Sequence, residues 1–283
     1  MREVIPPAVS AAPPNLARGS GSLAIARVGG RSVVVGRRAV SPLRLLCPKN
    51  AGDAAWTYTS TLGGGLVDGD DLRLHVDVGA GAGALIATQA STKAYPGEGG
   101  VRQTLSATVG EEALLVVLSD PLVLFARARA QTLLDLELAG DATCVTVEAL
   151  AAGRVASGER WAASRCQTRM RVRRADVTVL DDALLLDPAH GDVRERMAPF
   201  DAWANVVLCG PKVADAVEDL LARPRPPHRL GGDLQAIELA SPFDGGCLLR
   251  IAARSTAILS NRVQGALACV APLLGDDPFT RRW

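Results

Sequence analysis

LGGGLVDGDDLRLHVDVGAGAGALIATQASTKAYPG, residues 62–97, carries the pattern on which the reading of the whole chain turns. From Asp71 to Val78 the residues alternate, with Leu72, Leu74, Val76 and Val78 on one side and Arg73, His75 and Asp77 on the other. A two-residue period belongs to a strand with one buried face. Gly79 to Ala84 breaks the period and ALIATQ resumes an apolar run, so the segment reads as two paired strands joined by a Gly-rich turn. Gly79, Gly81 and Ala84 fit a relaxed dinucleotide fingerprint, but that fingerprint works only when a helix follows to hold the pyrophosphate. Leu85 to Thr88 is strand-like instead, and no carboxylate lies about 20 residues beyond in a second strand to hold a ribose. Lys93 follows Thr92 rather than Gly, which excludes a phosphate loop. The glycines therefore serve tight turns with positive φ.

Working outward, most of the chain has the same character. LAIARV and RSVVVGRRAV are short β-branched runs joined by Gly29-Gly30, and WTYTSTL precedes the Gly-rich centre. After Gly97 come RQTLSATV, ALLVVLSDP, LVLFARA, TLLDLELA and TCVTVEALAAG, then RWAASRCQTRMRVRRADVTVLDDALLLDP. Many short strands with turn residues between them predict a mainly β protein, a large antiparallel scaffold. No fixed-period repeat stands out. Arg169, Arg171 and Arg173 share one strand face, with Met170 and Val172 on the other, as expected of a solvated sheet surface. The last quarter differs. WANVVLC, LQAIELA and GCLLRIAAR are strands. Val213, Val217, Leu220 and Leu221 fall on one helical face closed by Pro224. Leu259, Val263, Ala266, Val270 and Leu274 fall on another, with Ser255 as its cap. Two C-terminal helices are thus expected on an α/β portion spanning 203–283, after a β-rich body reaching about residue 200. Residues 1–22, rich in Pro, Ala, Gly and Ser, read as a disordered tail ahead of a single domain, 23–283.

Composition narrows the function classes. With 31 basic and 30 acidic residues in 283, the net charge of +1 gives no general pull toward nucleic acid or an anionic membrane. An aromatic share of 4% leaves little with which to stack bases. There is no secretory signal and no membrane-spanning apolar run, which points to the cytoplasm. The six cysteines form no C-x-x-C pair and the three histidines are scattered, so no closed zinc site is expected. The cysteines read as small buried residues of a reducing compartment. No nucleophile–base spacing appears. Adjacent carboxylates such as Asp70-Asp71 and Asp181-Asp182 point to opposite faces of a strand rather than forming a catalytic pair.

The order of turns in the opening stretch resembles the signature of the urease accessory protein D family (UreD, also called UreH). Gly64, Gly65, Val67, Gly69 and Asp70 make a turn, and a strand and the Val78–Ala82 turn follow it. A second strand then leads to Thr92, Lys93 and Tyr95, with Thr88 on the same signature. Gly153, Arg154, Gly158 and Glu159 are similar to a further family segment, and SPLRLLCP and LLVVLSDPLVLFARARA agree in order. The chain departs from many members in having Thr61, Leu62 and Gly63 where they have His-Pro-Pro. The resemblance implies a non-enzymatic scaffold for urease maturation. It would bind the urease apoprotein with a helical accessory protein (UreF-type) and a GTPase (UreG-type). It implies no tightly bound cofactor, with Ni²⁺ as transient cargo moving through an internal passage. The family's acidic positions fall on Asp70, Asp71, Glu148 and Asp181, and more weakly on Asp120. Carboxylates and hydroxyls that bind a divalent ion weakly suit transit, where a Cys/His cage would trap it. The residues alone leave two other readings open, a β-sandwich module for some other protein partner and a nucleotide-binding enzyme. They also leave open that Asp70 merely caps a turn and Lys93 merely makes an ion pair.

Overall fold

The computed structural model describes residues 16–49, 52–224 and 234–280. Of the N-terminal tail, residues 1–15 lie outside the described residues, and the first strand already begins at Ser20. Strands β1 (Ser20–Val28) and β2 (Arg31–Ala39) form a hairpin, followed by β3 (Leu43–Leu46) and β4 (Ala55–Thr61). The chain then winds through β5 (Asp71–Val78), β6 (Gly83–Thr88), β7 (Lys93–Ala94), β8 (Val101–Val109) and β9 (Leu114–Leu118). It continues through β10 (Leu122–Leu124), β11 (Arg129–Leu138), β12 (Thr143–Ala151) and β13 (Arg165–Arg174). Strand β14 (Val177–Leu186), a short helix α1 (Val193–Met197), β15 (Ala202–Cys209), α2 (Ala214–Leu221), β16 (Ala236–Phe243), β17 (Gly246–Ala253), α3 (Thr256–Ala266) and α4 (Val270–Leu274) complete it.

The molecule is mainly β, as read, but the antiparallel expectation is corrected. There are two mixed sheets, ordered β14-β13-β11-β8-β5-β1-β2 and β16-β17-β15-β12-β9-β6-β4-β3, with β7 and β10 alongside the second. From β4 to β13 the chain alternates between them, so each winding adds one strand to each sheet in the same direction. Hence β5, β8, β11 and β13 are parallel neighbours, and so are β4, β6, β9 and β12. The windings repeat in structure, with about thirty residues between equivalent turns, although no repeat stands out in the sequence. Their turns are superimposed copies. Ala82, Ala113 and Ala142 donate to the carbonyls of Gly79, Gly110 and Ala139 at 3.0, 3.1 and 3.1 Å. The parallel ladder runs on through these turns: Gly110 N donates to Val78 O and Ala139 N to Val109 O, both at 2.8 Å. Two glycines and one alanine at the first position, and alanine at the fourth, leave too few shared letters for a repeat to show.

Burial explains why strands of the two sheets look different in sequence. The first sheet has one face in water, and β5 alternates strictly between exposed and buried. Its outer face carries Arg73, Arg102, Arg169, Arg171 and Arg173, paired with Asp71, Asp181, Asp135 and Glu137. The second sheet is covered on both sides, by the first sheet and by α2, α3 and α4, so β9 is buried at all five positions. A strand buried on both faces reads as a continuous apolar run. The helices seat Val213, Leu220, Leu259, Val263, Val270 and Leu274 on Trp56, Leu85, Val116, Val145 and Ile251. Leu221, expected on that face, is exposed. The single last helix divides at Leu267, where the chain leaves helical geometry. The break places Pro272 in the first turn of α4, where its missing N–H costs nothing; inside an unbroken helix it would clash. Ser255 caps α3 as expected, accepting from Ile258 N at 3.2 Å. Strands β15–β17 extend the second sheet, so the C-terminal portion completes the β-rich body rather than standing apart. No helix among the described residues is long and apolar enough to cross a membrane.

Ala113 is fully buried between the equivalent alanines of the windings above and below, whereas Ala80, one turn over, is exposed. Ala113→Leu is expected to cost about 1–3 kcal/mol by overpacking the stacked turns, and Ala80→Leu to cost little. Urea unfolding midpoints check this.

Candidate functional site

The tight turns stack at one end of the two sheets, and the longer connections gather at the other. Those connections, 62–70, 89–100, 119–128 and 152–164, hold most of the signature residues, the Val78–Ala82 turn lying at the opposite end. Backbone pairing knits them together. Leu66 N donates to Lys93 O at 2.7 Å, Tyr95 N to Leu66 O at 3.0 Å, Val123 N to Thr92 O at 2.8 Å and Phe125 N to Ala94 O at 3.2 Å. Gly65 is required at this crossing, because a Cβ there would stand 2.7 Å from both Lys93 O and the Tyr95 ring.

Tyr95, Gly153, Arg154 and Glu159 converge on Phe125. The Tyr95 and Phe125 rings meet edge to face with centroids 5.2 Å apart. The Arg154 guanidinium lies over Phe125, 4.7 Å from its centroid, and pairs with Glu159 through Nε at 3.0 Å and through a second contact to Oε1. Glu159 also accepts from Ala126 N at 3.2 Å, and Arg154 holds its carboxyl below the usual range. Gly153 has φ +102°, and a Cβ there would stand 2.4 Å from Leu124 O. This part of the signature is thus a clamp on the 119–128 connection.

Behind the connections, a cavity of about 330 Å³ runs between the sheets. Gly64, Gly65 and the 89–93 segment line its outer end; Thr132 and Glu148 line the inner one. Thr88 and Asp120 face each other along it: Thr88 Oγ1 donates to Asp120 Oδ2 at 2.8 Å and accepts from Asp120 N at 2.7 Å. Lys93 is exposed at the outer end, and its ammonium has no ion pair among the described residues, so the expected structural pair is not what holds it. Its loop is ordered through the backbone.

Glu148 points from β12 toward the first sheet. It accepts from the Thr132 hydroxyl, and its Oε2 is buried without a hydrogen-bond partner. Burial pushes its carboxyl above the usual range. The Thr132 and Thr168 hydroxyls oppose that shift and the charge of Asp182 adds to it. The residue as a whole is half-buried and lines the cavity.

Of the four carboxylates expected in a passage, only Glu148 lines the cavity. Asp70 accepts from Val67 N at 2.9 Å and caps its own turn. Asp71 pairs with Arg73 at 2.6 Å on the outer face. Asp181 lies opposite Arg171, accepts from Arg169 at 2.7 and 2.6 Å, and is held below the usual carboxylate range chiefly by Arg169. Its neighbour Asp182, opposite Met170, points inward instead. It accepts from Asn205 Nδ2 at 3.3 Å and pairs with Arg250. Sequence reasoning missed Asp182, Asn205, Thr132 and Thr168. The outward parity of Arg169, Arg171 and Arg173 was a usable signal, but transferring it to β14 needs the pairing register. That register also shifts at Val172/Arg173. No three His, Cys, Asp or Glu side chains converge as a metal site among the described residues. The glycines at 79–83 lead straight into β6, a strand, which removes the nucleotide-loop reading.

A family model described as "UreD urease accessory protein" matches residues 17–283. The chain is similar to a urease accessory protein UreD of Sorangium cellulosum (strain So ce56), 50% identical over 266 residues, covering 94% of this chain and 84% of that protein. It is 44% identical over 270 residues to a urease accessory protein UreD of Anaeromyxobacter sp. (strain Fw109-5), covering 94% and 90%. To a urease accessory protein D of Oryza sativa subsp. indica it is 32% identical over 293 residues, covering 93% and 96%.

The raised carboxyl of Glu148 has a signed consequence. A group whose folded pKa lies above its unfolded value contributes stability in full below the unfolded value, about 4.3 for Glu. That contribution is lost as pH rises through the folded value. Glu148→Gln keeps the acceptor for Thr132 and removes the titration. Relative to the native chain, the variant is expected to be more stable at pH 7 than at pH 4. A stability difference that does not change with pH, measured by urea unfolding at both, rules out the raised pKa.

Proposed function

The chain belongs to the UreD family of urease accessory proteins, and on that premise we propose that it is a non-catalytic scaffold that joins apo-urease to the other accessory proteins and lets Ni²⁺ pass through its interior. The partners we infer are the urease apoprotein, a helical accessory protein of the UreF type and a GTPase of the UreG type. Nickel is cargo here, and no tightly bound cofactor is part of the reading.

The observation that carries the reading is the interlayer cavity with Asp120 toward its outer end and Glu148 at its inner end. Thr88, Thr132 and neighbouring serines and threonines place hydroxyls along a wall that is otherwise mostly aliphatic, with Leu43, Leu72, Leu74, Leu105 and Leu150 in its lining. A divalent ion that has shed part of its water needs oxygen ligands, because an uncompensated charge in a low-dielectric interior is costly. Single carboxylates spaced along a wall stabilise the ion at each stage. They supply too few ligands at any one place to retain it. Asp70, Asp71 and Asp181 have no part in this route, because their carboxylates are engaged at the turn or on the outer sheet face. The clamp of Arg154, Glu159 and Phe125 holds the connection that carries Asp120.

The experiment replaces the two carboxylates without changing their shape. Asp120→Asn with Glu148→Gln is expected to leave complexes with urease and the accessory partners intact. Nickel content and urease activity should fall several-fold, further than in either single variant. Asp70→Asn, which can still cap its turn, is the control and is expected to behave as the native chain. Full nickel loading by the double variant in normally formed complexes rejects the passage. Failure of the complexes to form assigns the two residues to structure instead.

A further inference from the structure

We propose that Cys144 and Cys209 form an oxidisable dithiol, which a hydroperoxide converts to a disulfide that ties β15 to the wound strands at β12. The two residues are directly opposite in the antiparallel β12–β15 pair. Opposed positions in such a pair have Cα atoms about 4.5–5.5 Å apart, inside the range of about 4.4–6.8 Å that a disulfide spans. Both side chains point into the same inter-sheet core and both thiols are free. The pair therefore needs a rotamer change, not a backbone movement, to close.

A cation stands beside one of the two sulfurs. Arg174, the last residue of β13, brings Nη2 to 3.4 Å from Cys209 Sγ. The same guanidinium donates to the carbonyls of Ala139 at 3.0 Å and Ala142 at 3.1 Å, and to Gly140, which fixes it over the last of the stacked turns. It has no carboxylate partner among the described residues, so the sulfur is where a compensating negative charge can form. The Cys144 thiol and Arg174 both draw the Cys209 pKa down, against burial and the charge of Asp244; Cys144 is pushed up by donating to Cys209 and by burial. The roles are therefore unequal. Cys209 is the attacking thiolate and Cys144 the resolving thiol. Cys209 is itself wholly buried, but it ends its strand beneath Gly245, an exposed glycine whose missing Cβ would lie 4.0 Å from the sulfur, so one turn separates it from solvent.

The chemistry balances with a hydroperoxide as the oxidant. The Cys209 sulfur attacks the peroxide; the S–O bond forms, the O–O bond breaks, and the leaving oxygen takes a proton to become an alcohol or water. The Cys144 sulfur then attacks the Cys209 sulfenic acid; the S–S bond forms, the S–O bond breaks, and hydroxide leaves with the Cys144 proton as water. Two thiols have given two electrons to one peroxide.

The test treats the reduced full-length chain with hydrogen peroxide, denatures it, alkylates the remaining thiols and maps the peptides. The expected result is a linked pair of peptides carrying Cys144 and Cys209, a mass lower by two hydrogens, and loss of two of the six alkylatable cysteines. Cys144→Ser is expected to strand Cys209 as a sulfenic acid that dimedone captures, and Arg174→Gln to slow closure several-fold. The proposal is overturned if both thiols of the native chain stay alkylatable after peroxide. It is equally overturned if Cys209 persists as a sulfenic acid beside an unreacted Cys144, or if the linkage joins other cysteines. Mapping the native chain decides the matter even where a variant fails to fold.

Discussion

The parallel hydrogen-bond ladder that runs without interruption through the stacked turns is the constraint on which this molecule depends. At Gly79–Ala82, Gly110–Ala113 and Ala139–Ala142 the backbone crosses from one sheet to the other in four residues, and each crossing hydrogen-bonds to the next. Only small side chains fit at the first and fourth positions of each crossing. Ala82, Ala113 and Ala142 are buried to within 1% of completely, and a Cβ on Gly110 would stand 2.8 Å from Ala80 N. The short crossings fix how closely the two sheets approach at that end. They also make β6, β9 and β12, the strands they lead into, each join its sheet parallel to the strand before it.

At the opposite end nothing so short bridges the sheets. The connections are long, and they are ordered by a second, smaller ladder through Leu66, Ala94 and Leu124, each almost wholly buried. Between the two ends the inner faces gain hydroxyls while staying largely aliphatic. Val76, Val109, Leu136 and Leu138 fill the space near the turns, while Thr88, Thr132 and Glu148 stand where the cavity opens. Threonine satisfies part of its own hydrogen bonding and still leaves room, so hydroxyls stand among the leucines of the cavity wall. Glu148 is the exception, since one oxygen has no partner and its charge is disfavoured. A scaffold needs no such residue for packing, and for that reason Glu148 carries more of the functional argument than the better-satisfied acids around it.

The cysteines show the same division between position and chemistry. All six could be read as small core residues, and Cys166 and Cys247 behave that way, with thiols pushed up chiefly by burial. Cys209 differs because strand pairing sets Cys144 against it and winding brings Arg174 over it. Neither neighbour is close in sequence, so the inert and the reactive thiol look alike until the sheets are assembled.

The sequence by itself determined the β character, the solvated arginine face, the Ser255 cap and the end of α2 before Pro224, and through its Gly-rich signature the family. These are legible because period, turn chemistry and short motifs are local, set within a few residues by backbone sterics and side-chain alternation. The alternation of Leu72, Leu74, Val76 and Val78 needed no partner strand to be seen. Tertiary structure alone decided that the sheets are parallel at their centres, and that Asp182 rather than Asp181 faces inward. It alone made Asp70 a turn cap while Glu148 reached a cavity. The physical reason is that strand direction, register and layer contact depend on which segments pair. Pairing is settled by burial summed over both sheets and the helices, and a shift of one residue exchanges the two faces of a strand while leaving its pattern of letters unchanged.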